Sequence, residues 1–235
     1  MVNVFLALWA GHMVGDFALQ TGRIAEMKRV GWQGLFLHVA MVTAATLIFV
    51  VRFPHWLWLT LIVSLTHLLI DAVRTFIVRD LQRAHLAYFL ADQGAHMAIL
   101  LGLAIGMAPD RYAQPVDWIR AYNAMDRGAW IIIAGVILVF MVPVIESLIY
   151  VDWVGGNTND VQITLRSRLL GAGERLTGLA IMLSPWPFLT PVVFIPHMVY
   201  RLRGLSEQHP SQLVRPALSL GMTLIVGWLM RNGMG

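Results

Sequence analysis

Three times in the first hundred residues a histidine and an aspartate stand four positions apart: His12 and Asp16 in GHMVGDFALQ, His67 and Asp71 in THLLIDAVR, Asp92 and His96 in LADQGAHM. A further histidine, His38, stands alone in LFLHVA. The i,i+4 spacing puts both members of a pair on one helix face. Imidazoles and carboxylates gathered in this way supply the lone pairs that a divalent cation takes, Zn first and Mn or Fe after it. A carboxylate beyond the ligand set can then serve as general base toward a metal-activated water. The chain has no cysteine, so disulfides and thiolate sites are excluded and any metal must be held by nitrogen and oxygen.

The elements that must carry these residues are apolar. Of 235 residues 58% are hydrophobic and 13% charged, with a mean hydropathy of +0.68, against roughly 25% charged in an average soluble domain. Runs near 3–22, 33–51, 56–78, 85–108, 129–151 and 212–231 approach the roughly 20 residues that a lipid-spanning helix needs. A further apolar stretch, 174–201, is cut by Ser184-Pro185-Trp186-Pro187. Two prolines remove backbone donors and disfavour helix before them, so this stretch reads as two half-helices, a hairpin in preference to one kinked span. The expected fold is all-α: a polytopic membrane bundle of about six to eight spans, the first four enclosing the His/Asp site. Its domains would be a site-bearing bundle at 1–108, an external loop at 109–128 and a C-terminal membrane region at 129–235 with the proline break.

A net charge of +4 would suggest nucleic acid in a soluble protein. Here the basic residues cluster at span ends, the mark of membrane topology, and no nucleic-acid partner is expected. Arg23, Lys28 and Arg29 follow the first span, Arg79 and Arg83 the third, while Arg52 alone follows the second. That asymmetry places the N-terminus outside. The first run has neither a basic leader nor a small-residue cleavage site and contains His12 and Asp16, so it reads as a retained helix and not a signal peptide.

The order within the pairs adds a second inference. Spans one and three run in one direction and read His-xxx-Asp; span four runs the other way and reads Asp-xxx-His. The reversal cancels the change of direction, so all three aspartates lie nearer one membrane face, roughly 9–12 Å in by helical rise, with the paired histidines one turn deeper and His38 near the same level. Three unpaired aspartates would cost about 8–10 kcal/mol on the insertion scale. A metal ion offsets that cost more completely than neutral imidazoles do. The candidate ligands His12, Asp16, His38, His67, Asp71, Asp92 and His96 outnumber the four of a tetrahedral zinc. Either two or more ions are held, or some aspartates orient imidazoles from behind.

Asp16, Asp71 and Asp92 are the candidates for general base. Gln20 and Gln93 could hydrogen-bond a substrate oxygen, and Lys28, Arg29 and Arg74 lie where an anionic lipid head group sits; simple helix contacts and membrane anchoring are the structural alternatives. Glu146, buried in the fifth span, needs a partner, with Arg175 or the metal site as candidates. His197 reads as structural.

The run GHMVGDFALQT followed by LFLHVA, THLLIDAVR and FLADQGAH resembles a bacterial inner-membrane family known as domain of unknown function 3307, with GAGERLTG near Gly171 similar to a weaker C-terminal feature of that family. Where the family's third element is followed by Lys, this chain has Arg74, which keeps the charge and removes a titratable amine. The His-xxx-Asp pairs are also similar to those of bacterial membrane metal-dependent hydrolases related by motif to zinc phospholipase C and single-strand nucleases. That resemblance implies phosphoester chemistry by analogy.

These readings lead to an expected metal-dependent hydrolase in the bacterial inner membrane, acting on a lipid-linked or otherwise amphipathic substrate. The competing class is a transporter or channel using the same groups as a proton relay or metal-ion passage; the sequence has no internal repeat of the kind common in transporters. A scaffold stabilised by metal is the third, and the surplus of acids argues against it.

Overall fold

In the computed structural model of the chain, residues 4–51, 54–78, 85–107, 124–154, 165–203 and 211–233 are described. Among these residues the regular structure is helical, with no strand. Arg52, Arg79, Arg83 and the expected external loop as far as residue 123 lie outside them; from Ala124 onward the end of that loop is already helix. The chain divides into two compact units, Met1–Val136 and Ile137–Gly235.

The first unit begins with α1, Val4–Met13, prolonged by a π-helical turn at Val14–Ala18. The expected first span stops there, short of residue 22, because Thr21 caps a new helix: its side chain accepts from the Ile24 amide at 3.4 Å and starts α2, Gly22–Val30. Then come α3, Trp32–Val50; α4, Leu57–Val73, prolonged by a π turn at Arg74–Val78; α5, His85–Met107; and α6, Ala124–Val136.

Two glycines set how closely α1 approaches α3. A Cβ on Gly11 would lie 2.5 Å from Thr46 Cα, and one on Gly15 would lie 2.5 Å from Val42 Cα. This is the small-xxx-small contact by which membrane helices bring their backbones together. His12 and Asp16 each follow one of these glycines, so they sit about 100° round the helix from the contact line, against the bundle interior. Gly34 does the same for α2, since a Cβ there would strike the backbone of Met27 and Lys28. An apolar core of Val4, Ala7, Leu8, Val50, Leu59, Val63 and Leu100 fills the end of the unit around the start of α1, and Trp9 meets Trp130 of α6 edge-on at 5.5 Å.

Among the described residues four helices are long and apolar enough to cross a membrane: Trp32–Val50, Leu57–Val78, His85–Gly106 and Arg127–Trp153, with shorter apolar helices at Val4–Ala18 and Pro187–Val199. Ile48, Leu61, Leu65, Leu69 and Ile77 turn outward, each more than half exposed, while the histidines and aspartates turn inward. Water would penalise that inversion and lipid favours it. The chain is a membrane protein.

In the second unit a π turn at Ile137–Met141 leads into α7, Val142–Val154, followed by α8, Leu165–Leu183, α9, Thr190–Arg203, and α10, Ser211–Gly233. The break between α8 and α9 falls on the expected Ser184-Pro185-Trp186-Pro187, with a 3₁₀ turn at Pro187–Leu189. Carbonyls left open where the helix ends find new donors: Arg231 Nη1 donates to Met182 O at 3.1 Å and Ser184 O at 2.8 Å. The two half-helices fold back on each other as a hairpin. Gly178 of α8 leaves room for Phe194 and Thr190 of α9, and His197 Nδ1 lies 2.8 Å from Glu174 Oε2.

Candidate metal centre

All seven candidate ligands lie in the first unit and none is more than 8% exposed. Helix α1 with its π turn supplies His12 and Asp16, α3 supplies His38, α4 supplies His67 and Asp71, and α5 supplies Asp92 and His96. The π turn holds Asp16, and such turns mark functional positions in helices.

Six of the seven form one contiguous cluster with two halves, and the Asp92 carboxylate joins it through Gln93. In the carboxylate half, His38 Nε2 lies 3.0 Å from Asp16 Oδ1, 3.3 Å from Asp71 Oδ2 and 3.0 Å from His67 Nε2. His67 Nε2 is 3.2 Å from Asp71 Oδ2 and 3.9 Å from Asp16 Oδ1. In the imidazole half, the rings of His12 and His96 stack with centroids 5.0 Å apart, and His67 lies 4.4 Å from His96 and 5.2 Å from His12. His67 belongs to both halves. Two groups of three could each hold a metal ion, with one ligand atom per residue all within 4.8 Å: His12, His67 and His96, and Asp16, His38 and His67.

Around this cluster stand the polar residues singled out from sequence. Lys28 of α2 is buried and ion-paired with Asp71 Oδ2 at 2.5 Å. Arg74 Nη1 donates to Asp92 Oδ2 at 2.7 Å. The Gln93 amide donates to Asp16 Oδ2 at 3.0 Å and to Asp92 Oδ2 at 3.3 Å, tying two aspartates from different helices together. Gln20 has a buried Oε1 without a partner, and Arg29 is exposed. Sequence reasoning placed Lys28 at a lipid head group; the geometry places its ammonium inside the cluster. The signal for this was Gly34, six residues beyond Lys28, which lets the backbone of α2 lie against α3. The GHMVG spacing of Gly11 and Gly15 was a second unread signal.

Several ring nitrogens remain unmatched: His12 Nε2, His38 Nδ1, His67 Nδ1 and His96 Nε2 are buried with no hydrogen-bond partner. A buried polar atom left unpaired costs about 1–3 kcal/mol. The cluster therefore has the donor atoms, the burial and the unsatisfied lone pairs that suit a cation, with carboxylates close enough to move a proton.

Glu146 lies in the second unit and its partners are there. Ser219 Oγ donates to Glu146 Oε1 at 2.5 Å, and Arg175 Nη1 lies 3.5 Å from the same oxygen while donating to Ser219 Oγ at 2.9 Å. Of the two partners considered for Glu146, Arg175 is the one found.

A family model described as "Protein of unknown function (DUF3307)" matches residues 4–116, the stretch that carries every residue of this cluster. No curated protein and no solved structure matches the chain.

Proposed function

We propose that this chain, which through residues 4–116 belongs to the DUF3307 family, is a membrane-embedded metal-dependent hydrolase acting on a lipid-linked or otherwise amphipathic substrate, a phosphoester by chemical preference. One observation carries the reading: four imidazoles and three carboxylates from four helices, three of them long and apolar enough to cross a membrane, converge in a buried cluster with four ring nitrogens that lack partners. Zinc is the first choice of ion, with manganese or iron the alternatives for this donor set. A metal ion there would lower the pKa of a bound water and polarise a phosphoryl oxygen. Asp16 is the nearest carboxylate to both halves, 3.9 Å from His12 Nε2 and 3.0 Å from His38 Nε2, and is the best placed general base. Burial of this chemistry within the bilayer suits a substrate that never leaves it. The basic residues after the first and third runs support a bacterial inner-membrane orientation with the N-terminus outside.

The test is hydrolysis in proteoliposomes loaded with zinc, using a lipid phosphomonoester and a lipid phosphodiester as trial substrates. Turnover that is abolished by a chelator and by His67→Ala supports the reading. Zinc bound at full occupancy with neither ester hydrolysed would sink the phosphoester assignment.

A second reading rests on a separate observation. Asp16, His38, His67, Asp71 and Lys28 form a continuous chain of contacts at 2.5–3.2 Å, the kind of relay that moves protons in transporters. Proton flux across sealed proteoliposomes, lost in Asp16→Asn, would favour this over hydrolysis.

A further inference from the structure

The two halves of the cluster differ in what they still lack. Two of the three carboxylates already carry a cation of the chain, Lys28 on Asp71 and Arg74 on Asp92. Asp16 is held by the Gln93 amide and by His38 Nε2, each at 3.0 Å. Outside the imidazole half His38 Nδ1 and Asp92 Oδ1 are without a partner, but the imidazole half has three open ring nitrogens that converge. His12 Nε2, His67 Nδ1 and His96 Nε2 have no partner, one nitrogen from each of these rings lies within 4.8 Å of the others, and a small cavity opens beside them, walled by Val63, Thr66, Ile99 and Leu100.

Two of the three rings have their free lone pair fixed by what holds the other nitrogen. His96 Nδ1 donates to the Asp92 carbonyl at 2.8 Å, which leaves the lone pair on Nε2. His67 Nε2 lies 3.2 Å from Asp71 Oδ2 and 3.0 Å from His38 Nε2; with its proton directed to Asp71 and the His38 proton to Asp16, its lone pair falls on Nδ1. Backbone carbonyls and carboxylates do this for metal-binding histidines generally. A water can donate only two hydrogen bonds, so it would match all three nitrogens only with His12 Nε2 protonated, whereas a divalent cation takes all three as lone pairs.

Resting on the metal-dependent reading above, we infer that the ion is held by nitrogens of His12, His67 and His96 alone, and that the Lys28 ammonium is the resident cation of the carboxylate half, in the place a second metal would otherwise take. Three neutral nitrogens with an open fourth position are a catalytic zinc set. The charges agree with a single ion. Lys28 and Arg74 leave one of the three aspartates unbalanced, and a divalent ion carrying hydroxide supplies the one positive charge that matches it. The Lys28 placement is built in: α2 lies backbone to backbone on Gly34, and no larger residue would fit there.

The test is zinc per chain, by elemental analysis of the full chain in detergent after zinc loading and gel filtration, with thermal unfolding of each variant as the folding check. One zinc is expected in the wild type. His12→Ala and His96→Ala lose it. Asp16→Asn, which perturbs only an outer partner, weakens it by about 10–100-fold at most. Lys28→Met gains a second ion. Zinc retained in folded His96→Ala but lost in Asp16→Asn would move the metal to the carboxylate half, and two zincs in the wild type, or a count of one in Lys28→Met, would overturn the role of Lys28; in each case the metal-dependent reading survives. No zinc in folded wild type removes that reading and this one together. If His96→Ala fails to fold, a cobalt-loaded wild type decides, since a three-nitrogen site and a mixed carboxylate site differ in visible spectrum.

Discussion

In the second unit a glutamate, an arginine and a serine from three helices meet at a single carboxylate oxygen, Glu146 Oε1. One negative charge faces one positive charge and the serine fills the gap between them. In the first unit three carboxylates face two cations, and four imidazole nitrogens are left without partners. Both clusters are buried in helices, so both bear the cost of taking charge out of water. The Glu146 cluster balances its charge internally, as a structural pair does, with Arg175 Nε left without a partner. The His/Asp cluster remains one positive charge short and several hydrogen bonds incomplete, a condition that persists in folded proteins where a ligand completes it.

The comparison breaks most visibly at Arg175. Arg175→Met leaves Glu146 buried without its countercharge and should cost about 3–5 kcal/mol of stability, read as a large fall in the thermal unfolding midpoint in detergent, with zinc content unchanged. Adding Glu146→Gln should restore most of the loss. A metal lost in Arg175→Met would mean that the second cluster is not merely structural. The mirror experiment is on the first unit. Free zinc at a hundred times its dissociation constant should stabilise the wild type by about 2.7 kcal/mol and His67→Ala not at all, because His67 belongs to both candidate triads.

Next in size is the packing that makes the first cluster possible. Gly11→Leu or Gly15→Leu drives a side chain into the α3 backbone at Thr46 or Val42 and should cost about 1–3 kcal/mol. The sharper readout is zinc, which either variant should release, since displacing α1 carries His12 away from His67 and His96. A variant that unfolds more easily yet keeps its zinc would separate the helix contact from the site.

How far the sequence led is clear from these residues. The His-xxx-Asp pairs and their reversal in α5 were legible because helical period and chain direction alone bring them to one level, and the proline break in 174–201 was legible because proline has no amide to give. Three features were not. The π turn that ends α1 at Ala18 leaves no mark in an apolar run. Arg175 was one of two partners weighed for Glu146, because pairing between helices that lie 29 residues apart is decided by packing. Lys28 reads as an interfacial anchor by type and position, and only the close contact at Gly34 turns it inward. The chemistry of the cluster stood in the residue types, whereas the identity of its built-in cation depended on how two backbones pack.

The smallest effect is expected at Arg74, and it sharpens the contrast with Lys28. Both are cations on cluster aspartates, but the Arg74 side chain is 37% exposed and that of Lys28 10%. An exposed pair is screened by water and contributes about 0–1 kcal/mol, while a buried one is tied to the charge balance of the whole site. Arg74→Lys keeps the charge and exchanges a planar fork for a point donor. It should therefore change stability by less than about 1 kcal/mol and leave zinc at one per chain, where Lys28→Met raises it to two. Loss of zinc in Arg74→Lys would mean that Asp92 depends on the guanidinium geometry to hold its helix in register, since the His96 Nδ1 hydrogen bond ends on the Asp92 carbonyl. The balance of the site would then reach to its edge.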